Sequence, residues 1–331
     1  MQPHQLNPII EPQFLAVNDY IINHLGSTVP LVEKIGHYIV SSGGKRFRPL
    51  LVLLASNACN HLAIQNTVSE SNPAHIKLAA TIEFIHTATL LHDDVVDSSD
   101  LRRGKDTANA KWGNGPSVLV GDFLYSRAFQ IMVEIGELEI MNVISNATNV
   151  IAEGEVLQLL NSRNPDLSED DYMKVIIAKT AKLFEAATET GAILASASDK
   201  ERTALKNYGL HLGIAFQLID DVMDYISSAA EMGKNTGDDL AEGKTTLPLI
   251  QAMKETDDTN RKLIRRAIRD GGLQDLAPVL KAIKQTNAIQ YTQQKAFSHS
   301  QQAIDCLDDI QASSFRDTLI DLAKLAVSRK S

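Results

Sequence analysis

The segment from His75 to Asp97 places the strongest constraint on the fold, because it is apolar on almost every side of the helix that its spacing predicts. A helix of this kind must be surrounded by other secondary-structure elements. The period-two alternation of β-strands is nearly absent, and only 10 prolines and 18 glycines interrupt the 331 residues. We therefore predict an all-α protein with this helix at its centre.

Further helices follow from apolar residues that recur every three or four positions. A second long helix, which carries aspartates near its end, is predicted over Thr203–Ile226. The others are Pro12–His24, Pro30–Ser41, Phe47–Asn60, Ser117–Ile135, Glu137–Leu160, Glu169–Ala197, Thr245–Lys254, Thr259–Asp270 and Ser300–Ser328. The predicted loops are Ser41–Gly44, Ser98–Trp112, Asn161–Ser168 and Ser227–Gly243. No repeat or Pro/Gly-rich linker divides the chain, so we predict a single domain over residues 1–331.

Charge and cysteine content narrow the class of protein. The chain has 32 Lys and Arg against 41 Asp and Glu, a formal charge of −9, which argues against general affinity for nucleic acid or anionic membranes. Cys59 and Cys306 form neither a disulfide framework nor a CxxC pair. Neither a signal peptide nor an apolar run of about 18 residues is found, and we expect a cytoplasmic protein without a membrane span.

Two aspartates close the predicted central helix. Asp93 and Asp97 are four residues apart, which places both carboxylates on one helical face, about 5–6 Å from each other. They also lie at the C-terminal end, where the helix dipole disfavours negative charge by up to about 1 kcal/mol. We therefore expect a bound cation to neutralise this first aspartate box, residues 93–97.

A second aspartate box, residues 220–224, repeats the arrangement near the end of the Thr203–Ile226 helix. Asp220 and Asp224 are again one turn apart, and Asp221 lies between them. One box alone is typical of a solvated acidic helix end, but two boxes that both follow apolar helices favour bound metal. Carboxylates without a Cys or His cluster are ligands for Mg²⁺, which commonly bridges them to phosphates.

Basic residues, several of them close to glycines, supply candidate phosphate ligands, because Arg offers a planar pair of donors and Lys a point charge. They are Lys45, Arg46 and Arg48 in the segment Gly43–Pro49, Arg102 and Arg103 just after the first box, Lys179, Lys234 and Lys244. A nucleotide P-loop ending at Thr245 is excluded, since five residues separate Gly237 from Gly243 where that motif has four. A metal-dependent phosphohydrolase would need helical histidines besides His92, and none is suitably placed.

These motifs together resemble the trans-isoprenyl diphosphate synthases. The resemblance runs from about Val32 to Leu249, in the order and spacing of that family. Its motifs are Gly43–Pro49, His86 seven residues before the first box, Arg102-Arg103-Gly104, Lys179-Thr180, Gln217–Tyr225, Gly233-Lys234 and Gly243-Lys244. The stretches Glu83–Gly104, Ser117–Ala128 and Ala152–Leu160 most resemble the bacterial members that form octaprenyl chains. The resemblance implies a single helical isoprenoid synthase domain around a central cavity, and a homodimer.

The resemblance also implies a role for each site residue. The implied Mg²⁺ ligands for the allylic diphosphate are Asp93, Asp97 and Asp220, with Asp221 or Asp224 acting through water. The implied ligands for the remaining phosphate charge are Arg102, Lys179, Lys234 and Lys244. Departure of the diphosphate leaves an allylic cation, which the oxygens of Thr180 and Gln217 are expected to stabilise. The implied isopentenyl diphosphate site consists of Lys45, Arg48, His86 and Arg103, and the released diphosphate accepts the final proton.

The implied activity is Mg²⁺-dependent head-to-tail condensation of isopentenyl diphosphate onto an allylic diphosphate, farnesyl diphosphate in our interpretation. We expect octaprenyl diphosphate, used for quinone side chains, with heptaprenyl or nonaprenyl diphosphate as alternatives. A terpene cyclase needs no second diphosphate site, and a non-catalytic partner subunit would be expected to lose aspartates or cations. All of them are present, so both alternatives rank below a synthase. The positions of His86, Leu90, Asp93 and Asp97 on one helical face agree with the implied site.

Product length is predicted from the size of the residues that precede the first box. Ala88 and Thr89 lie about one turn deeper than Asp93 and are small, so the growing chain can pass them; Met132 is our candidate for the tunnel floor. The substitution Ala88→Tyr should therefore shorten the product, as measured by chromatography of the reaction mixture. An unchanged product length would show that the tunnel does not pass this side of the helix.

Overall fold

Helices make up almost all of the chain that the structure describes, which in this computed structural model comprises residues 7–59, 74–226 and 236–328. The α-helices are α1 Ile10–Asn23, α2 Pro30–Ser41, α3 Phe47–Cys59, α4 Ala74–Val96, α5 Ala108–Trp112, α6 Asn114–Ile135, α7 Leu138–Leu160, α8 Glu169–Ile176, α9 Lys182–Leu194, α10 Asp199–Ile226, α11 Asp238–Ala241, α12 Leu247–Glu255, α13 Asp258–Asp270, α14 Leu276–Gln285, α15 Ala288–Cys306 and α16 Ser314–Ser328. In these ranges the only strands are β1 Leu101–Arg102 and β2 Lys105–Asp106. The all-α prediction is confirmed.

The chain divides into two compact units. The first comprises Met1–Ala147, Leu183–Gly209 and Ile304–Leu322, and the second comprises Thr148–Lys182, Leu210–Ala303 and Ala323–Ser331. Each unit is therefore assembled from segments that are distant in sequence. The prediction of one domain over residues 1–331 stays a prediction. None of the helices in the described ranges is long and apolar enough to cross a membrane.

Helix α4 forms the core of the first unit, where it packs against α1, α3 and α6. Its side chains are buried on most sides, including the fully enclosed Phe84 and Ile82, so the prediction of a buried central helix is confirmed. Helix α6 approaches closely because Gly121 has no side chain: a Cβ there would lie 2.3 Å from Nε2 of His92. The hydroxyl of Ser117 donates to the carbonyl of Leu91 across the same contact, at 3.1 Å. This packing holds the end of α4, which carries the first aspartate box.

An apolar cluster in the second unit holds the helix turns that carry the second aspartate box. Tyr172 and Ile176 of α8 belong to this cluster together with Ile214 and Leu218 of α10. A separate cluster, built from α12, α13 and α14, includes Tyr225 at the end of α10. The last two turns of α10 are thus packed on more than one side, and Asp221 and Asp224 are buried with them.

The structure corrects several predicted boundaries. Residues 98–112 contain the β1–β2 hairpin and α5, and the hairpin turn is made by Arg103 and Gly104, both with positive φ. The Glu169–Ala197 helix is interrupted by a π-helical turn at Ile177–Ala181. The Ser300–Ser328 helix is two helices, because the Ser313 hydroxyl accepts a hydrogen bond from the amide of Arg316 and caps a new start.

One helix and the beginning of another lie in residues 271–299, where the sequence analysis assigned none. Pro278 disrupts the helical pattern of α14 in the sequence, but it lies in the first turn. Amides there have no partner within the helix, so a proline costs nothing. Helix α15 has a polar composition in which few apolar residues mark the buried side. Pro278 therefore accounts for the missed α14, and weak apolar periodicity accounts for the missed beginning of α15.

The contact of α9 with α3 in the first unit should tolerate no side chain at Gly191. A Cβ there would lie 2.8 Å from the carbonyl oxygen of Val52 and 2.9 Å from Cβ of Ala55. We expect Gly191→Ala to lower the free energy of unfolding by about 1–3 kcal/mol in denaturant titrations. Gly115→Ala on α6 is the control, because nothing lies within 4 Å of its Cβ position and alanine favours a helix. Equal midpoints for the two variants would contradict the close packing.

Candidate active site

Residues 43–46, which precede α3, are folded against the side chain of Arg103 from the β1–β2 turn. A Cβ on Gly44 would lie 2.7 Å from Nη1 of Arg103, so a side chain there would require the guanidinium to move. Gly43 and Gly44 have φ of 87° and 146°, values that glycine adopts readily. The structure thereby brings together two basic segments that are more than fifty residues apart in sequence.

Arg48 joins this cluster through His86. Its Nη1 lies 3.2 Å from Nε2 of His86, and its guanidinium lies 4.5 Å from the centre of the Phe184 ring. Burial lowers the pKa of His86 well below its usual value, and the positive charges of Arg48, Arg103 and Arg102 lower it further. A neutral His86 can accept a hydrogen bond at Nε2 from arginine, which can only donate.

Three of the four residues predicted to bind isopentenyl diphosphate, Arg48, His86 and Arg103, are therefore in one cluster in the first unit. The fourth, Lys45, lies in the adjacent segment that contacts Arg103. We call this set, with Arg46, the basic cluster. It presents donors suited to a diphosphate.

Within the first aspartate box, Asp94 differs from its neighbours in burial and in hydrogen bonding. Asp93 and Asp97 are half-buried, whereas Asp94 is fully buried, and its Oδ1 accepts hydrogen bonds from Nε and Nη2 of Arg102 at 2.9 and 2.6 Å. Burial lowers the pKa of Arg102, but the hydrogen bond to Asp94 and the charges of Asp94, Asp93 and Asp97 raise it more. Arg102, predicted as a phosphate ligand, is thus held beside the box by an aspartate that sequence reasoning did not single out.

Asp221 in the second box is held by neutral donors. The Tyr172 hydroxyl donates to its Oδ2 at 2.5 Å, and the amide nitrogen of Gln217 donates to its Oδ1 at 2.7 Å. Gln217 in turn accepts a hydrogen bond from the hydroxyl of Thr180 at 2.8 Å. Burial and then the negative charge of Asp239 raise the pKa of Asp221 to about 8, against the lowering effect of its two hydrogen bonds.

The predicted cations of the second unit are paired with glutamates. Nζ of Lys179, in the π-helical turn, lies 2.6 Å from Oε2 of Glu155. Nζ of Lys244 lies 2.5 Å from Oε2 of Glu242. Lys234 lies outside the described residues. A π-helical turn within a helix is frequent at functional sites, which agrees with the prediction for Lys179 and Thr180.

The remaining predicted residues have definite surroundings. Asp220 is half-buried and Asp224 is buried, and Oδ2 of Asp224 lies 3.3 Å from the amide of Asp239. In the first unit Ala88 and Met132 are buried, and the hydroxyl of Thr89 donates to the carbonyl of His86. Their roles in setting chain length stay predictions.

Sequence reasoning missed several residues that hold the site in place: Asp94, Glu155, Tyr172, Asp239 and Glu242. Only Asp94 and Glu242 lie close in sequence to residues that it did select. Among the described residues, no three Asp, Glu, His or Cys side chains form a group that could bind a metal ion by themselves.

Comparison with known proteins decides the family. The model of the polyprenyl synthetase family matches residues 29–286. The chain belongs to this family. The predicted family and enzyme class, prenyltransferase, are therefore confirmed.

Similar proteins cover the whole chain. Octaprenyl diphosphate synthase of Escherichia coli K12 is 49% identical over 330 residues, covering 99% of each chain. All-trans-nonaprenyl-diphosphate synthase (geranyl-diphosphate specific) of Rhodobacter capsulatus is 45% identical, covering 98% of this chain and 97% of its own. The crystal structure of polyprenyl synthase from Caulobacter crescentus CB15, complexed with calcium and isoprenyl diphosphate, has a TM-score of 0.93 at 41% identity, covering 99% of this chain and 98% of that one.

The Asp94–Arg102 ion pair gives a stability prediction for the first unit. Asp94→Asn keeps the size of the side chain but leaves the Arg102 guanidinium without its counter-charge. We expect a loss of roughly 3–5 kcal/mol in the free energy of unfolding, typical of breaking a buried pair. Asp106→Asn on β2 is the control, because that side chain is exposed. Similar denaturation midpoints for both variants would show that the pair does not support the fold.

Proposed function

We propose that this protein is a long-chain trans-polyprenyl diphosphate synthase that extends farnesyl diphosphate with isopentenyl diphosphate to octaprenyl diphosphate. The observation that carries the proposal is that α4 contributes both His86 to the basic cluster and Asp93 to the first aspartate box. One helix thus serves two diphosphate sites, seven residues or about 10 Å apart. A terpene cyclase would need only one such site, and the octaprenyl product rests on the similarity to the E. coli enzyme.

The basic cluster is the proposed site for isopentenyl diphosphate. Lys45, Arg48 and Arg103 donate to the diphosphate oxygens, and the planar guanidinium groups offer paired donors. His86 stays neutral among these positive charges. It therefore adds no charge to the site and can accept from Arg48 while its other ring nitrogen donates to the ligand. The cluster holds the substrate so that its double bond faces the site where the allylic cation forms.

The allylic diphosphate is the proposed ligand of the aspartate boxes. Asp93, Asp97 and Asp220, with Asp221 or Asp224 acting through water, offer the hard carboxylate oxygens that suit Mg²⁺. The lack of a self-sufficient metal group among the described residues fits ions whose coordination is completed by substrate phosphates and water. Bound Mg²⁺ would neutralise the charge that develops on the leaving diphosphate.

Arg102, Lys179, Lys234 and Lys244 would take the rest of the phosphate charge. In the described chain Lys179 and Lys244 are each close to a glutamate carboxylate. An arriving diphosphate can therefore share cations that are already held in place, which reduces the entropy lost on binding.

Thr180 and Gln217 are proposed to stabilise the allylic cation. The Gln217 amide donates to Asp221, so its oxygen points the other way, toward Thr180. Both oxygens keep lone pairs for a positive centre. The proton lost after carbon–carbon bond formation passes to the released diphosphate, so the described residues need supply no general base.

The proposal includes a homodimer. Helix α6 exposes Leu119, Phe129 and Val133 on one side, with exposed fractions of 66%, 40% and 65%. Large apolar side chains gathered on one face of a helix favour burial against a partner. Use of the product as a quinone side chain and a cytoplasmic location stay predictions.

Incubation of the purified protein with farnesyl diphosphate and labelled isopentenyl diphosphate tests the activity. We expect linear octaprenyl diphosphate with Mg²⁺ and none with EDTA, and we expect Asp93→Asn to lower kcat by roughly 100-fold or more. A linear product of another length would change only the chain-length assignment. A cyclic product would identify a cyclase, the absence of product would favour a partner subunit, and full activity in EDTA would contradict the metal-dependent mechanism.

A further inference from the structure

Glu83 is a polar residue of the first unit to which neither the sequence nor the proposed mechanism gave a role. It lies on α4, three residues before His86. Its Oε2 is out of contact with solvent and accepts no hydrogen bond from the residues that the structure describes. A buried acceptor without a donor is destabilising, so its presence requires a compensating interaction.

The compensation is electrostatic. The guanidinium groups of Arg46, Arg48 and Arg103 all act on the Glu83 carboxyl, and each lowers its pKa against the larger raising effect of burial. Glu83 also affects the pKa of Arg103. Burial and the charges of Arg102 and Arg46 lower that pKa, whereas the charges of Glu83 and Asp94 raise it. The Glu83 carboxyl thus interacts with three positive groups of the basic cluster, each of which favours its ionised form.

An unsatisfied donor occurs in the same cluster as this unsatisfied acceptor. Nη2 of Arg46 donates to the carbonyl of Val40 at 3.3 Å, but its Nη1 is buried and has no hydrogen-bond partner in the described part of the chain. A buried donor and a buried acceptor in the same cluster, both unsatisfied, point to a ligand that completes the site. A diphosphate would satisfy the donors, while Glu83 fixes where they point.

Backbone strain in the same place supports this assignment. Arg46 and Arg103 have φ of 45° and 54°, in the left-handed region that disfavours residues with a Cβ. Each such residue is strained and persists only where its surroundings hold it. Both strained residues are arginines that interact with Glu83.

We propose that Glu83 is a positioning residue that holds Arg46, Arg48 and Arg103 in the arrangement that receives the isopentenyl diphosphate headgroup. The assignment rests on the proposed function of the basic cluster. Without the carboxylate, three like charges in a half-buried site would repel one another and turn away. Removing the carboxylate would also strengthen the attraction of the three cations for an anion. The loss of their alignment has the larger effect on binding of the diphosphate.

The test is Glu83→Gln, which removes the charge and keeps the size of the side chain. We expect the KM for isopentenyl diphosphate to rise about tenfold or more, the effect of losing one charge-assisted interaction, while the KM for farnesyl diphosphate stays within about twofold. Glu83→Asp restores the charge on a shorter side chain and should recover part of the loss. A merely structural role would not produce this split between the two substrates.

Glu189→Gln is the matched control. Glu189 is a buried glutamate of the same unit, and its Oε1 accepts hydrogen bonds from Nε and Nη2 of Arg202 at 3.1 and 2.8 Å. We expect this variant to unfold at a lower denaturant concentration with both KM values unchanged. An equal or lower KM for isopentenyl diphosphate in folded Glu83→Gln would overturn the proposal, as would an equal rise in both KM values.

Binding of inorganic diphosphate in EDTA separates this proposal from the proposed function. Without metal the aspartate boxes repel the anion, so calorimetry reports mainly the basic cluster. We expect binding by Glu83→Gln to be about tenfold weaker than by the wild type. If diphosphate binding is weaker in Glu83→Gln but the protein elongates no prenyl chain, the positioning role of Glu83 is supported and the synthase function is contradicted. If binding is equal and the protein is an active synthase, only the positioning role of Glu83 is contradicted. If Glu83→Gln fails to fold by circular dichroism, Glu83→Asp carries the same comparison, with intermediate affinity expected and unchanged affinity contradicting the proposal.

Discussion

The first unit depends on the balance of charge at the C-terminal end of α4. An apolar helix that ends in aspartates must neutralise them, because the helix dipole and burial both oppose negative charge there. Asp94 is fully buried and is paired with Arg102 by two hydrogen bonds to a single oxygen. That pair also anchors the β1–β2 hairpin, whose turn carries Arg103 toward residues 43–46. One buried ion pair thus positions residues for both proposed substrates.

The second unit stabilises a buried aspartate differently. Among the described residues no arginine donates a hydrogen bond to Asp221, which is instead held by Tyr172 and Gln217. Neutral donors offset less of the desolvation cost than an ion pair does, which is why the pKa of Asp221 rises to about 8. The same hydrogen bonds orient Gln217 and, through it, Thr180. The two boxes are alike in sequence, yet their buried carboxylates have opposite electrostatic surroundings.

Much of this arrangement could be predicted because its signals are local. The buried character of α4, the four-residue spacing of Asp93 and Asp97, and the order of the basic motifs are all properties of short segments. The predictions failed where a local signal was misleading or weak. Pro278 interrupts the helical pattern of α14 in the sequence, and the polar composition of α15 makes its buried side difficult to recognise. The cap at Ser313 was not recognised.

The sequence by itself determined the helical class, the two aspartate boxes and the presence of cations suited to diphosphates, because helical periodicity and motif spacing are written in consecutive residues. Only the tertiary structure decided which cation meets which carboxylate. Lys179 pairs with Glu155 across 24 positions, and three arginines from two distant segments act electrostatically on Glu83. Such pairs depend on how helices pack and on where Gly44 and Gly121 let side chains approach. Packing of this kind is a property of surfaces in contact, and no segment of the chain specifies it alone.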